Sequence, residues 1–281
     1  MSIVAVLGAG TLGGSIAHKI AARGRFQEVR LVDPARGVAG GKALDIQQSA
    51  AIERFGTQVT AHDGLAAAAG ADAAVLADSA GGADGDEQAL ATLDKLYRLN
   101  PRAVIICAGV SHRRVVERAV VELAIPRRQV IGSAPAALQS ALRAIVAVEL
   151  RCPPGDISLA VLGRPPEHLV VPWSEATIGG LALSRLLDAP TLARLQAQAR
   201  QVWPPGPYTL ASATARLCET VVGQAGRKGL VCYTVLDGEL GGRGCAAAVT
   251  VELDTGGVTR IIEPALSGQE RVRLDTALAP A

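Results

Sequence analysis

Aromatic residues make up only 2% of this 281-residue chain, and methionine occurs once. A core without large rings must be filled by Ala, Val, Leu and Ile, and apolar residues do reach 49% of the sequence. Charged residues are 19%, a globular rather than a disordered composition. Neither sign of charge dominates: 28 Lys and Arg stand against 26 Asp and Glu, a net +2. That balance argues against a strong nucleic-acid or membrane-surface role, since neither partner is held without a concentrated basic face. The pairs Arg113-Arg114 and Arg127-Arg128 read as solvated helix and turn positions. No apolar run approaches the ~20 residues needed to span a bilayer. The five cysteines (Cys107, Cys152, Cys218, Cys232 and Cys245) have no CxxC spacing and read as buried thiols of a reducing compartment, with no residue assigned to a metal. A strand starting at Ser2 leaves no room for a signal peptide, so the expected location is the cytoplasm.

What is present is a regular alternation. Ser2–Leu7, Glu28–Val32, Gln58–Ala61, Ala73–Leu76, Ala103–Cys107 and Gln129–Ile131 are short apolar runs of strand type. Between them Thr11–Ala22, Lys42–Arg54, Glu87–Leu99 and His112–Leu123 have helical spacing. Strand-helix alternation predicts a parallel sheet covered on both faces. The second half reads differently. A helix over Ala136–Leu150 opens it, strands follow at Ile157–Leu162 and Leu169–Val171, then helices at Thr191–Val202 and Leu210–Gly223. Three strand-like runs, Leu230–Leu236, Ala246–Leu253 and Val258–Ile262, are punctuated by Asp237-Gly238, Gly241-Gly242 and Gly256-Gly257, and a helix closes the chain near Ser267–Leu278. The expected fold is α/β: a Rossmann-type doubly wound parallel sheet over residues 1–134, then an α+β domain with an antiparallel sheet over residues 135–281.

One motif carries chemistry. The strand Ile3–Leu7 runs into Gly8-Ala9-Gly10-Thr11-Leu12-Gly13, a G-x-G-x-x-G pattern that opens a helix. Asp33 follows 20 residues after Gly13, at the end of the second strand. Together these form the dinucleotide-binding fingerprint. Gly8 permits the tight turn, Gly10 lets the backbone approach the pyrophosphate, and Gly13 lets helix and strand pack closely. Thr11 and Leu12 start the helix, whose free N–H groups and positive dipole end suit the phosphates. A carboxylate at Asp33 accepts hydrogen bonds from the adenosine ribose and repels a 2′-phosphate, so NAD is expected rather than NADP.

Further along, Leu31-Val32-Asp33 with Gly41-Lys42-Ala43-Leu44-Asp45-Ile46, and then Asn100–Ile106, resemble successive elements of the lactate/malate dehydrogenase family. So do Leu162-Gly163 with Trp173-Ser174, Leu236–Gly241, and Gly257–Glu263. The resemblance implies an NAD-dependent oxidoreductase of 2-hydroxy acids that pairs with itself through helices of the first domain. It also implies a site in which a histidine, oriented by an aspartate, exchanges a proton with the substrate. One arginine there clamps the substrate carboxylate and another, on a mobile loop, polarises the carbonyl.

At those positions the chain reads otherwise. Pro165 stands for the histidine, Gln139 for the aspartate and Leu142 for the clamping arginine. Ala108-Gly109 replaces an Asn-Pro, and the loop Ser79–Asp86 is acidic and about two residues short of the pattern that the family shows. His168, three positions on, would lie roughly 10 Å away on a strand and on its other face. Arg143 would be turned about 100° around its helix. Both therefore read as surface or second-layer residues; His112, after the fifth strand near the expected cleft, is a weaker candidate still, and His18 and His62 read as helix-face and loop residues. No catalytic residue is assigned. Two readings stay open: an oxidoreductase for another small substrate, or a non-catalytic pseudoenzyme that keeps the cofactor fold as a binding, regulatory or assembly subunit.

Overall fold

The computed structural model describes residues 2–82, 85–223 and 227–279. The first half runs β1 (Ile3–Leu7), α1 (Thr11–Ala22), β2 (Glu28–Val32), α2 (Arg36–Glu53), β3 (Gln58–His62), β4 (Ala73–Leu76), α3 (Asp86–Leu99), β5 (Val104–Cys107), α4 (Arg113–Val121) and β6 (Val130–Gly132). These strands are all parallel, in the order β3-β2-β1-β4-β5-β6. The strands are apolar on both faces because both faces are covered. Val4 and Val6 pack with Ile16 and Ile20 of α1, whereas Ala5 and Leu7 pack with Leu93 and Leu96 of α3 and Val115 of α4. The expected doubly wound sheet is present. Helix α2 starts earlier than its spacing suggests. Its first turns carry Gly37, Gly40 and Gly41, and the buried Ala39 and Ala43 hold that stretch against the core.

The second half runs α5 (Ala134–Leu150), β7 (Ile157–Ser158), β8 (Leu162–Arg164), β9 (His168–Val170), β10 (Thr177–Ile178), β11 (Leu181–Ala182), α6 (Leu183–Leu186), α7 (Ala189–Ala199), α8 (Pro207–Val222), β12 (Arg227–Asp237), β13 (Arg243–Asp254), β14 (Gly257–Ile262) and α9 (Gly268–Leu278). Its main strands are antiparallel, with β12, β14 and β8 all pairing β13 and β9 pairing β8. They continue the first sheet through a single pairing of Tyr233 with Gly132. The run Ile157–Leu162 is not one strand. Ile157–Ser158 joins a small sheet with β10 and β11, and Leu162 begins a strand of the large one. Between them the Leu159 carbonyl receives the Gln139 side chain rather than a ladder partner, and there the chain changes sheets. Helix α9 starts in a capping box of Ser267 and Glu270.

Charge ties the halves together. Glu219 on α8 has a nearly buried carboxylate that meets Arg23 at 2.8 Å, Arg25 at 3.4 Å and Arg216 at 3.5 Å. Arg127, expected to be solvated, instead pairs with Glu239 at 2.9 Å. Removing the acidic centre leaves three guanidiniums without the nearly buried carboxylate that joins them. The substitution Glu219→Ala is expected to lower unfolding free energy by about 2 kcal/mol or more. Urea titration of both proteins checks this, and a loss below about 0.5 kcal/mol would mean that the cluster behaves as an ordinary solvated pair.

Candidate active site

In a doubly wound sheet, ligands sit outside the carboxyl ends of the strands where the order reverses. Here that place lies between β1 and β4, which are neighbours, with the Gly8–Gly13 turn after one and Asp78 after the other. The structure brings all six fingerprint residues, Gly8, Gly10, Thr11, Leu12, Gly13 and Asp33, to this edge. Gly8 takes φ +104°, a conformation that a side chain would strain, and a Cβ on Gly13 would strike the Gly8 carbonyl.

Asp33 is only 2% exposed. Its Oδ2 accepts the N–H groups of Ala9 and Ala80, each at 2.8 Å, and its Oδ1 accepts that of Ala35 at 2.8 Å. Burial pushes the Asp33 carboxyl up, but these three amides and the nearby Lys42 ammonium outweigh it and hold it below the usual carboxylate range. With two donors on Oδ2 and one on Oδ1, one acceptor position on Oδ1 is left for a ribose hydroxyl. Lys42 closes the other side of the turn, its Nζ donating to the carbonyls of Ala9 at 2.7 Å and Gly10 at 2.6 Å.

The expectation of free N–H groups at the start of α1 is corrected. The Asp78 carboxylate accepts from Leu12 N–H at 3.1 Å and from Gly13 N–H at 2.7 Å, and its main-chain carbonyl accepts from Gly10 N–H at 2.9 Å. The space that Gly10 leaves by having no side chain is filled by the same carboxylate. Sequence reading passed over Asp78 because it precedes the segment singled out as a loop. Strand order supplies the signal, since the residue after β4 must face the turn after β1. Beside these residues a cleft of about 290 Å³ is lined by Val32, Asp33, Pro34, Leu65, Thr92 and Lys95, among others.

The positions singled out in the second half are engaged in structure. Gln139 is buried and donates to the Leu159 carbonyl at 2.6 Å. Leu142 is 1% exposed in the core. Pro165 lies in the turn of the β8–β9 hairpin, where Arg164 pairs with His168. The chain therefore reverses between Pro165 and His168 instead of running on as one strand, and His168 is exposed. Arg143 is half-buried; its Nε has no hydrogen-bond partner, and burial lowers its pKa. His112 is buried and accepts the Gly109 N–H on Nδ1 at 3.1 Å, its ring filling the space beside Gly109. His18 pairs with Glu53 on the surface, and His62 ends β3 rather than lying in a loop. Of the acidic loop Ser79–Asp86, residues 83 and 84 lie outside the described residues, and Asp86 is the first residue of α3. Tyr233, not singled out from sequence, is 1% exposed with no hydrogen-bond partner for its hydroxyl, and burial pushes its pKa up.

Residues 2–90 match the family model described as lactate/malate dehydrogenase, NAD binding domain. Over 295 residues the chain is 28% identical to a malate dehydrogenase of Desulforudis audaxviator, covering 98% of this chain and 95% of that one. It is 27% identical to a malate dehydrogenase of Cytophaga hutchinsonii, covering 98% and 94%. Among solved structures it is similar in fold to a malate dehydrogenase from Salinibacter ruber, with TM-score 0.89, 24% identity and coverage of 98% and 93%. The lactate dehydrogenase from Cryptosporidium parvum, solved with lactic acid and nicotinamide adenine dinucleotide, superposes with TM-score 0.91 at 21% identity, covering 98% of this chain and 94% of that one.

The depressed pKa of Asp33 has a measurable consequence. Its ionised form contributes stability fully above the unfolded-state value of about 3.9, and that contribution is lost as pH falls through the lower folded value. The variant Asp33→Asn is expected to melt below the unsubstituted chain at neutral pH, with the gap closing as the pH drops under about 4. Melting curves across that range test it. A gap independent of pH would show that the charge on this side chain is not what the three amides recognise.

Proposed function

This chain belongs to the lactate/malate dehydrogenase family, and from that premise we propose that it binds NAD(H) without turning over malate or lactate by the family's histidine and arginine chemistry. Residues 2–90 are its NAD-binding part. Gly8, Gly10, Thr11, Leu12, Gly13 and Asp33 are the residues proposed to meet the cofactor. The glycine turn, the acceptor position left on Asp33 and the adjoining cleft fit the adenosine half of that cofactor. The phosphate seat at the start of α1 fits it less well, because the Asp78 carboxylate is already there.

The observation that carries the catalytic half of this reading is Gln139. The resemblance assigns its position to the carboxylate that orients the base, yet its neutral amide is buried and tied to the Leu159 carbonyl at 2.6 Å. Leu142 and Pro165 support the same conclusion. Neither has a titratable group or a donor with which to take a proton or hold a carboxylate. A further reading, a wholly non-catalytic pseudoenzyme, is favoured by the engagement of Asp78 and Ala80 with the cofactor residues.

We take the molecule to be a cytoplasmic homo-oligomer that binds a small molecule and neither nucleic acid nor membrane. Its five cysteines are all free, and no described helix is long and apolar enough to cross a membrane. Leu44 and Ile52 on α2 are 59% and 84% exposed, an apolar surface suited to a second copy.

Stopped assays with NADH are expected to give no reduction of oxaloacetate or pyruvate. Turnover near the ~10 s⁻¹ of an ordinary enzyme would overturn the reading. Reduction of a neutral aldehyde would leave the first reading standing and remove the pseudoenzyme one. NADPH is expected to bind at least about tenfold more weakly than NADH, because Asp33 faces the position of the 2′-phosphate.

A further inference from the structure

We propose that the turn after β4, Asp78–Ala80, is an internal stand-in for the dinucleotide, occupying the phosphate seat and one ribose contact, and that NAD(H) must displace it. The inference rests on the NAD-binding reading above.

The segment matches the cofactor's hydrogen-bonding at two points of opposite kind. At the first, Asp78 presents an anion to the positive end of α1, its carboxylate taking the Leu12 and Gly13 amides at 3.1 and 2.7 Å. At the second, Ala80 presents an N–H to Oδ2 of Asp33 at 2.8 Å, the donor role of a ribose hydroxyl. An acceptor where a phosphate belongs and a donor where a sugar belongs are thus supplied within three residues. The segment is braced as a tight turn, Ser79 Oγ donating to the Gly82 carbonyl at 2.9 Å and Gly82 N–H to the Ser79 carbonyl at 3.0 Å.

A pyrophosphate cannot share this seat. Each amide has one hydrogen to give, and two anions on the same donors repel strongly where the dielectric is low. The Asp78 carboxylate also fills the close-approach space at Gly10. The adenosine side is different. The cleft of about 290 Å³ beside Val32, Asp33, Pro34, Leu65 and Thr92 lies next to the turn, and one acceptor position remains on Oδ1. Asp78 therefore sets what the site accepts: a nucleoside enters directly, whereas a dinucleotide binds only to the fraction of molecules in which the turn has lifted, with its apparent affinity reduced by that fraction.

The test is calorimetric titration of the full chain and of Asp78→Ala with NADH, ADP-ribose and adenosine. The substitution is expected to tighten NADH and ADP-ribose by about tenfold or more and to change adenosine by less than about twofold, because only the phosphate-bearing ligands have charge-assisted hydrogen bonds to displace. If the unsubstituted chain binds NADH and Asp78→Ala binds it no better, the stand-in is overturned while the NAD-binding reading survives. If both are folded by circular dichroism and neither binds NADH, both fall. Should Asp78→Ala fail to fold, Asp78→Asn decides. It keeps the shape and drops the charge, so a selective gain for NADH and ADP-ribose supports the proposal and no gain overturns it.

Discussion

A helix that begins within a few residues of a buried strand leaves its first amide groups pointing into a crevice, and buried amides without acceptors are costly. Much of the cofactor edge of this molecule follows from how the N-terminus of α1 meets that demand. Gly8 gives its N–H to the Val32 carbonyl, Ala9 to Asp33, and Gly10, Leu12 and Gly13 to Asp78. Lys42 then takes the outward carbonyls of Ala9 and Gly10. The turn is held by three charged side chains, two acids on its donors and a base on its acceptors, each from a different element. Charge-assisted hydrogen bonds of this kind contribute about 1.5–3 kcal/mol each. Because they share one short stretch of backbone, none can change without moving the others.

The same connectivity explains which parts were legible in the sequence. The first half was, because continuous apolar strands alternating with amphipathic helices leave few other packings, and because the glycine spacing and Asp33 mark the turn locally. Asp78 was not. Its partners lie 65 and 66 residues away, and only the lateral order of β1 and β4 brings them together. In the second half the strands β7 to β11 are only two or three residues long, too short for a period of two to register. Nothing local therefore marks the tight reversal at Pro165 that sets Arg164 opposite His168. Likewise, a buried amide bond such as Gln139 to Leu159 ends one sheet and starts another without any local sign of it.

Three segments that the resemblance joins at a substrate site are taken up here in packing. Gln139 satisfies a carbonyl, Leu142 fills the core, Pro165 shapes a hairpin, and the His112 ring closes over Gly109. Buried charges without a partner carry a large desolvation penalty, so neutral groups at these packed positions favour stability. Among the described residues, Arg23 Nε, Arg143 Nε and the Tyr233 hydroxyl are buried without a hydrogen-bond partner.

The two sets of positions that the resemblance singles out then behave differently. Where the resemblance places a substrate site, Gln139 is spent on a main-chain carbonyl, Leu142 is core and Pro165 lies in a hairpin turn. At the cofactor end the polar demand is met from within. The amides of α1 take an anion and Asp33 takes a donor from across the cleft, which is why a single turn with a carboxylate and a main-chain N–H can satisfy both. A surface that retains its demand for a ligand while supplying a substitute is poised between two partners for the same atoms. Which of them holds the seat depends on the difference between two similar sets of hydrogen bonds, a quantity far smaller than either set alone.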